Sequence, residues 1–405
     1  MDFKQADLRE YCGLNRSRFY VDPEQDAQWF FGNLDVEREL LQRMDSDLDV
    51  RGVPKCGVVG RFGIGKTHTL NHVKWLVGAN PAQFPLNPFH LDVVWDENNK
   101  DLNTYRAIHI RILDALGEPF LRTLVRKFDA LDQKRDKELA EAMQLTFRFG
   151  DENLRRSLAV ILADYFKREA RSTVPAWQWL KAEKAVKLDS LGVPKAISDA
   201  GDMVFVLLNI GVLSRQATGR GVLLLMDEAQ SIANVGKASA EVHRAFLKLA
   251  DPDNRDVGFV LAVFGGGMAQ IPTVLTTPED ILSRLGVTRA TLPTAFIELQ
   301  RILRSEADIR SFMCEVLEHL VDPKIAESII SDNGVQNVQA PHLPFTEAGL
   351  DRIAHVLYGR EDTRNPRIVI DTLARCCSVA YRKAKEDEKY HIVDPAFAEP
   401  VLKDM

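Results

Sequence analysis

The stretch "GVVGRFGIGKTHTL" (residues 57–70) decides how this chain is read. Upstream, "KCGVVG" (55–60) has the composition of a short buried strand. Downstream, "KTHTLNHVKWLV" (66–77) places apolar residues at helical spacing. Between them runs Gly60-Arg61-Phe62-Gly63-Ile64-Gly65-Lys66-Thr67. That is glycine, any four residues, Gly-Lys, then Ser or Thr, without a mismatch. Glycines let backbone N–H groups turn inward and approach phosphate oxygens with no Cβ in the way. The helix start adds donors and the positive end of its dipole. The pattern predicts a phosphate-cradling loop over Gly60–Thr67, with Lys66 reaching the β- and γ-phosphates of ATP and the Thr67 hydroxyl ligating Mg²⁺. His68 follows directly and is expected to lie along the same helix, close to the nucleotide but outside the chemistry.

Such a loop needs a second, acid-bearing strand. "GVLLLMDEAQSI" (221–232) supplies a continuous apolar run ending in Asp227-Glu228, the pattern of a strand buried on both faces of a parallel sheet. Asp227 is placed to hold Mg²⁺, and Glu228 to polarise an attacking water. An acid directly after the magnesium acid favours hydrolysis over phosphoryl transfer to another substrate.

The remainder of the chain sets limits. Its 405 residues allow two or three domains, and 45% apolar with 27% charged residues is ordinary for a globular protein. A formal charge of −6 gives no global attraction for nucleic acid or membrane. The longest nearly apolar run, "MVFVLLNIGVL" (203–213), is too short to span a bilayer and is interrupted by Asn209. The N-terminus carries acids and no apolar h-region, so no signal peptide is expected. Five cysteines without a paired-thiol spacing point to a reducing, cytoplasmic setting. Cys376 and Cys377 read as free thiols in a buried helix. The nine histidines show no zinc-ligand spacing.

Along the chain, "FHLDVVWD" (89–96) reads as a second strand and "LNTYRAIHIRILDALG" (102–117) as an amphipathic helix. Residues from about 118 to 218 form a helical insertion between the two nucleotide motifs. From Glu118 to Lys187 it holds 15 Lys/Arg against 11 Asp/Glu. A mixed solvated surface explains that balance, though it also permits contact with a phosphate backbone. "VHRAFLKLA" (242–250) is a helix, "VGFVLAVFGGG" (257–267) a strand, and a fifth strand ends near Leu299. From 301 to about 385 the pattern is helical. The expected organisation is α/β: an N-terminal arm at 1–50, a five-stranded parallel core at 51–300, a helical lid at 301–385 and a tail at 386–405.

These residues resemble the AAA+ ATPases, in layout the clade of archaeal and eukaryotic origin-recognition ATPases and their bacterial relatives, over about residues 28 to 380. "ILSRLG" (281–286) is similar to that clade's arginine-finger segment and nominates Arg284, with Arg289 nearby. "NPRIVI" (365–370) resembles the sensor-two motif and nominates Arg367. "FFGNLDVERELLQRM" (30–44) resembles the segment beside the adenine, with Gly32-Asn33 where Gly-Arg is usual. Residues 179–232 also look like the P-loop ATPases of BREX-type phage-defence systems. Two departures stand out. The sensor-one strand ends "AVFGGG" with no polar residue, leaving the role unfilled or passed to Gln270. Origin-binding relatives carry a C-terminal winged helix for which the residues after 385 are too few. The resemblance implies a homo-oligomeric ATPase acting on DNA or a DNA-associated effector in phage defence or mobile-element biology. The alternative is an ATP-dependent switch with slow hydrolysis that recruits a separate effector.

Overall fold

The computed structural model describes residues 7–32, 34–93, 105–131, 138–167, 172–183, 186–229, 239–265, 294–299, 303–360 and 363–403. Arg284, Arg289 and Gln270 lie outside the described residues. The chain divides into two compact units. The first is built from Met1–Arg38, Arg61–Thr69 and Leu299–Met405, the second from Glu39–Gly60 and Leu70–Glu298.

The second unit is organised by one parallel sheet. Its strands are β1 (Lys55–Gly60), β2 (Leu86–Asp92), β3 (Gly221–Asp227), β4 (Val257–Phe264) and β5 (Phe296–Glu298). They lie in the order β2-β3-β4-β1-β5, and every pairing is parallel. The five-stranded α/β core expected from the sequence is therefore present. All residues of β1 and β3 are buried, as a sheet covered on both faces requires. β2 is only half-buried and contains Pro88, which lacks a ladder N–H and suits an edge strand.

Between β2 and β3 the described elements are all helical, including Tyr105–Leu131, Glu152–Ile161 and Ala200–Thr218. Gly117 has non-helical backbone angles and kinks the first of these. The helix Ala200–Thr218 is capped by Asp199, whose side chain accepts from the Asp202 N–H, and stops at Gly219 in the left-handed conformation. Its apolar residues are buried nearly all round, each contributing on the order of 1.5–3 kcal/mol as a buried Leu, Ile or Val. Asn209 in its middle is fully buried and fully used. Its Oδ1 accepts from the N–H groups of Arg148 and Phe149 at 3.0 and 3.1 Å, and its Nδ2 donates to the Phe149 carbonyl at 2.9 Å. The polar residue that interrupts the apolar run thus pins a neighbouring turn to the helix.

The first unit is helical. Ser305 and Asp308 form a capping box for Glu306–Leu320, and Glu347–Tyr358, Pro366–Asp387 and Pro395–Lys403 follow. The N-terminal arm is woven into these helices. Leu14 forms an antiparallel bridge with Val321, and the Asn15 N–H donates to the Leu320 carbonyl at 2.8 Å. Tyr11, wholly buried, donates its hydroxyl to the His391 carbonyl at 2.6 Å, while the Tyr390 hydroxyl donates back to the Tyr11 carbonyl at 2.9 Å. Cys376 and Cys377 are buried free thiols, and burial pushes the Cys376 thiol up to about 12. Among the described residues, no helix is long and apolar enough to cross a membrane.

Candidate functional site

The loop predicted to cradle phosphate leaves β1 at Gly60 and enters the helix Lys66–Ala79. Two of its glycines are required by conformation. Gly63 and Gly65 have φ of 77° and 101°, values that strain any residue with a Cβ. Around Gly65 there is open space, with nothing within 4 Å of where a Cβ would sit. At Gly63 a Cβ would also collide, 2.8 Å from Asn365 Oδ1. Lys66 begins the helix, buried to 7% exposure, with its ammonium 3.2 Å from the Arg61 carbonyl. Thr69 ties the first turn down, its hydroxyl donating to the Gly65 carbonyl at 2.9 Å. Thr67, Arg61 and Phe62 are exposed, whereas Ile64 is buried beneath the loop.

Two other segments of the first unit touch this loop. Asn365, the cap of the helix Pro366–Asp387, donates Nδ2 to the Phe62 carbonyl at 2.6 Å and accepts from the Arg367 N–H at 2.9 Å. The Arg367 N–H also faces the Gly63 carbonyl at 3.4 Å. The Arg367 guanidinium lies 5.2 Å from the centre of the Phe62 ring, within cation–π range. Arg367, nominated from "NPRIVI", therefore does sit against the loop. From the N-terminal arm, the Trp29 carbonyl accepts from His68 Nε2 at 2.6 Å, and the Phe31 ring stands 5.7 Å from the His68 imidazole.

That arm is held by a buried charge cluster the sequence did not reveal. Arg16 grips both oxygens of Asp26 at 2.7 and 2.8 Å, and His319 Nε2 donates to the same carboxylate at 2.8 Å. Burial pushes the Asp26 carboxyl up, but hydrogen bonds from Arg16, His319 and the Asp22 N–H outweigh it and hold the group at about 2. Next to it, the Gly32 N–H donates to Glu315 at 2.7 Å. The start of the segment that resembles the one beside the adenine is thus anchored at Gly32, just after the Asp26 cluster.

In the second unit, β3 delivers Asp227 to the C-terminal edge of the sheet, where ligands of open α/β sheets gather. Its side chain is 2% exposed and accepts from the Glu228 N–H at 2.8 Å. Glu228 is left-handed, with φ of 54°, a strain on the order of 1–2 kcal/mol for a residue with a Cβ. Strain of this kind is typical where a side chain must be aimed. Asp92 of β2 stands in register with Asp227. Together with His90 they bring three ligand atoms within 4.8 Å of one another. The sequence reading missed His90 and Asp92 because their partner lies 135 positions away; "HLD" on an edge strand was the sole signal. A buried carboxylate at a strand end, with a second beside it, suits Mg²⁺, which prefers oxygen donors and keeps some of its water.

No protein-family model matches the chain, and no curated protein matches it. Among solved structures it is similar to the ADP form of the ORC2 protein of Aeropyrum pernix, at 12% identity and a TM-score of 0.44, over 98% of this chain and 72% of that one. It is also similar to Cdc6p of Pyrobaculum aerophilum, at 11% identity and a TM-score of 0.38, over 89% of this chain and 65% of that one.

Proposed function

We propose that this protein is a P-loop ATPase of the AAA+ type, coupling ATP binding and hydrolysis to its own assembly and to remodelling or gating a DNA-associated partner. One observation carries the reading. A wholly buried parallel strand ends in a glycine-rich loop with left-handed Gly63 and Gly65, and Lys66 opens the following helix. Backbone of that shape is what a nucleotide's phosphates require.

In this reading Gly60–Thr67 cradle the phosphates of ATP and Lys66 balances their charge. The Thr67 hydroxyl and the Asp227 carboxylate supply ligands for Mg²⁺, whose chemistry is to neutralise charge on the phosphate oxygens. Glu228 accepts a proton from the attacking water, and Arg367 senses the γ-phosphate. His68 and the Trp29–Phe31 arm border the nucleotide's base. Arg284 reaches a neighbouring subunit of a homo-oligomer. DNA as the setting rests on the sequence resemblance to the origin-recognition ATPases. Phage defence or mobile-element biology rests on the sequence resemblance of residues 179–232 alone.

A second reading keeps the ATP site but makes it a slow switch that recruits a separate effector. It is favoured by the sensor-one strand, which ends in Phe264-Gly265 with no polar side chain. ATPase turnover with and without DNA separates the two. Lys66→Ala should abolish ATP binding measured by thermal shift, and Glu228→Gln should bind ATP while hydrolysing it about 100-fold more slowly. Unchanged ATP affinity in folded Lys66→Ala would remove the nucleotide assignment altogether.

A further inference from the structure

We infer that the Phe62 ring is a platform for the Arg367 guanidinium, keeping its N–H donors over the glycine loop and away from Asp371, and that this platform sets a preference for ATP over ADP. The inference rests on the ATPase reading and deepens it by naming what makes the site read a third phosphate. Phe62 acts through Arg367, as a positioning residue.

The roots of both side chains are fixed within the first unit. Asn365 Nδ2 donates to the Phe62 carbonyl at 2.6 Å, and the Arg367 N–H faces the Gly63 carbonyl at 3.4 Å. Arg367 Cβ lies 3.1 Å from where a Cβ on Gly63 would sit, so the arginine starts from the loop itself. The Phe62 side chain is not part of the core: the residue is 65% exposed. The guanidinium lies over its ring, 5.2 Å from the centre.

A guanidinium is planar, with its N–H donors in the plane and none on the face. A ring against the face therefore holds the charge and leaves the donors free for phosphate oxygens, which they match in pairs. A carboxylate takes the same edge that a phosphate needs. Asp371, one helical turn on, is that competitor. Its Oδ2 stands 4.0 Å from Arg367 Nε, beyond hydrogen-bonding distance but on the same helix face. Both side chains are exposed, so the pair is weak and a cation–π contact is enough to tip the balance. At an exposed site such a contact is worth a factor of about two to five. Without the ring, Arg367 turns to Asp371, and ATP has to break that pair to engage it. ADP has no γ-phosphate and is indifferent to where Arg367 lies.

The test titrates the full chain with a non-hydrolysable ATP analogue and with ADP, both in MgCl₂, by calorimetry, and reads the ratio of the two affinities. Phe62→Leu keeps an apolar side chain but removes the ring face. It should lower the ratio about two- to fivefold and leave ADP affinity unchanged. Phe62→Trp should hold the ratio at or above that of wild type, because indole is the stronger platform. Adding Asp371→Asn to Phe62→Leu should restore the ratio. Once Arg367→Ala has lowered the ratio, Phe62→Leu should change nothing further. A wild-type ratio in Phe62→Leu, or a loss that Asp371→Asn fails to restore, would overturn the inference and leave the ATPase reading intact. Equal losses for both nucleotides would do the same, by showing that the ring only shapes the loop. A wild type that binds neither nucleotide would remove the ATPase reading and this inference with it.

Discussion

Asn365 donates its side-chain amide to the backbone carbonyl of Phe62 at 2.6 Å, joining the cap of one helix to the middle of the glycine loop across 303 positions. The same side chain caps its own helix through the Arg367 N–H. One residue therefore fixes both where the helix begins and where the loop lies, and the two functions can be separated by substitution.

Asn365→Asp keeps an acceptor for the Arg367 N–H but loses the donor to Phe62 and sets a carboxylate against a carbonyl. The helix should survive, because Asp caps as well as Asn. Affinity for a fluorescent ADP analogue should fall several-fold. Asn365→Ala should lower stability by about 1 kcal/mol as well, the usual loss for a missing cap. Equal nucleotide affinity in wild type and Asn365→Asp would mean that the loop holds its shape unaided.

The two left-handed glycines should differ. Gly65→Ala places its methyl in open space and should cost only the backbone strain, about 1 kcal/mol. Gly63→Ala adds a collision with Asn365 at 2.8 Å and should cost 2–3 kcal/mol, roughly the sum of strain and overpacking. Urea denaturation of both variants would show the ranking, and the reverse order would contradict the geometry.

Asn209→Leu should look benign by hydropathy and prove severe. It strands the N–H groups of Arg148 and Phe149 and the Phe149 carbonyl in a buried place. At about 1–3 kcal/mol per buried unsatisfied group, the melting temperature should drop by several degrees. A variant as stable as wild type would show that water reaches that turn.

His109 makes stability depend on pH. Burial holds its imidazole down at about 4, and Nε2 donates to the Leu180 carbonyl at 2.8 Å. The unfolded chain takes up this proton near pH 6.5, the folded one only near 4, so stability is lost as pH falls through that window. The full penalty is on the order of 3 kcal/mol. His109→Gln keeps a donor for Leu180 and should flatten the decline between pH 6.5 and 4.5 in denaturant titrations. An unchanged slope would assign the decline to other groups.

Arg284 can be tested although it lies outside the described residues. As a finger acting on a neighbouring subunit, Arg284→Ala should spare ATP affinity and cut hydrolysis about 10³-fold. Mixed with Glu228→Gln, each inactive alone, it should regain activity wherever an intact finger meets an intact site. Co-assembly without recovery would put Arg284 in its own subunit or in a structural role.

What the sequence made legible was local. β1, the glycine loop and its helix occupy 25 consecutive residues (55–79), and glycine spacing with apolar period suffices to read them. β3 was equally plain, because burial on both faces leaves an unbroken apolar run. What stayed hidden was every relation made by chain reversal. Asp26 gives no sign of meeting His319, nor His90 of meeting Asp227. Asn209 reads as a flaw in an apolar stretch until the turn at 148–149 is seen to need its amide. Hydrogen-bond partners that supply only backbone atoms leave no mark in composition, so the most constrained polar residues are those a sequence displays least.

The weaving of Tyr11 against Tyr390 and His391 also bears on the order in which the molecule can be made. The unit that carries the glycine loop is assembled from three separated pieces, the last of them Leu299–Met405, while the other unit has all its residues by Glu298. Emerging from the ribosome, the sheet can close early, as domains completed first generally do. The loop's own surroundings cannot: Asn365 and the partners of Tyr11 have yet to be translated when Lys66 appears. A nascent chain stalled before residue 365 would carry a complete glycine loop without the clasp that shapes it. A loop shaped to hold a nucleotide would then arrive late in synthesis, only once Asn365 and the helix it caps have been made.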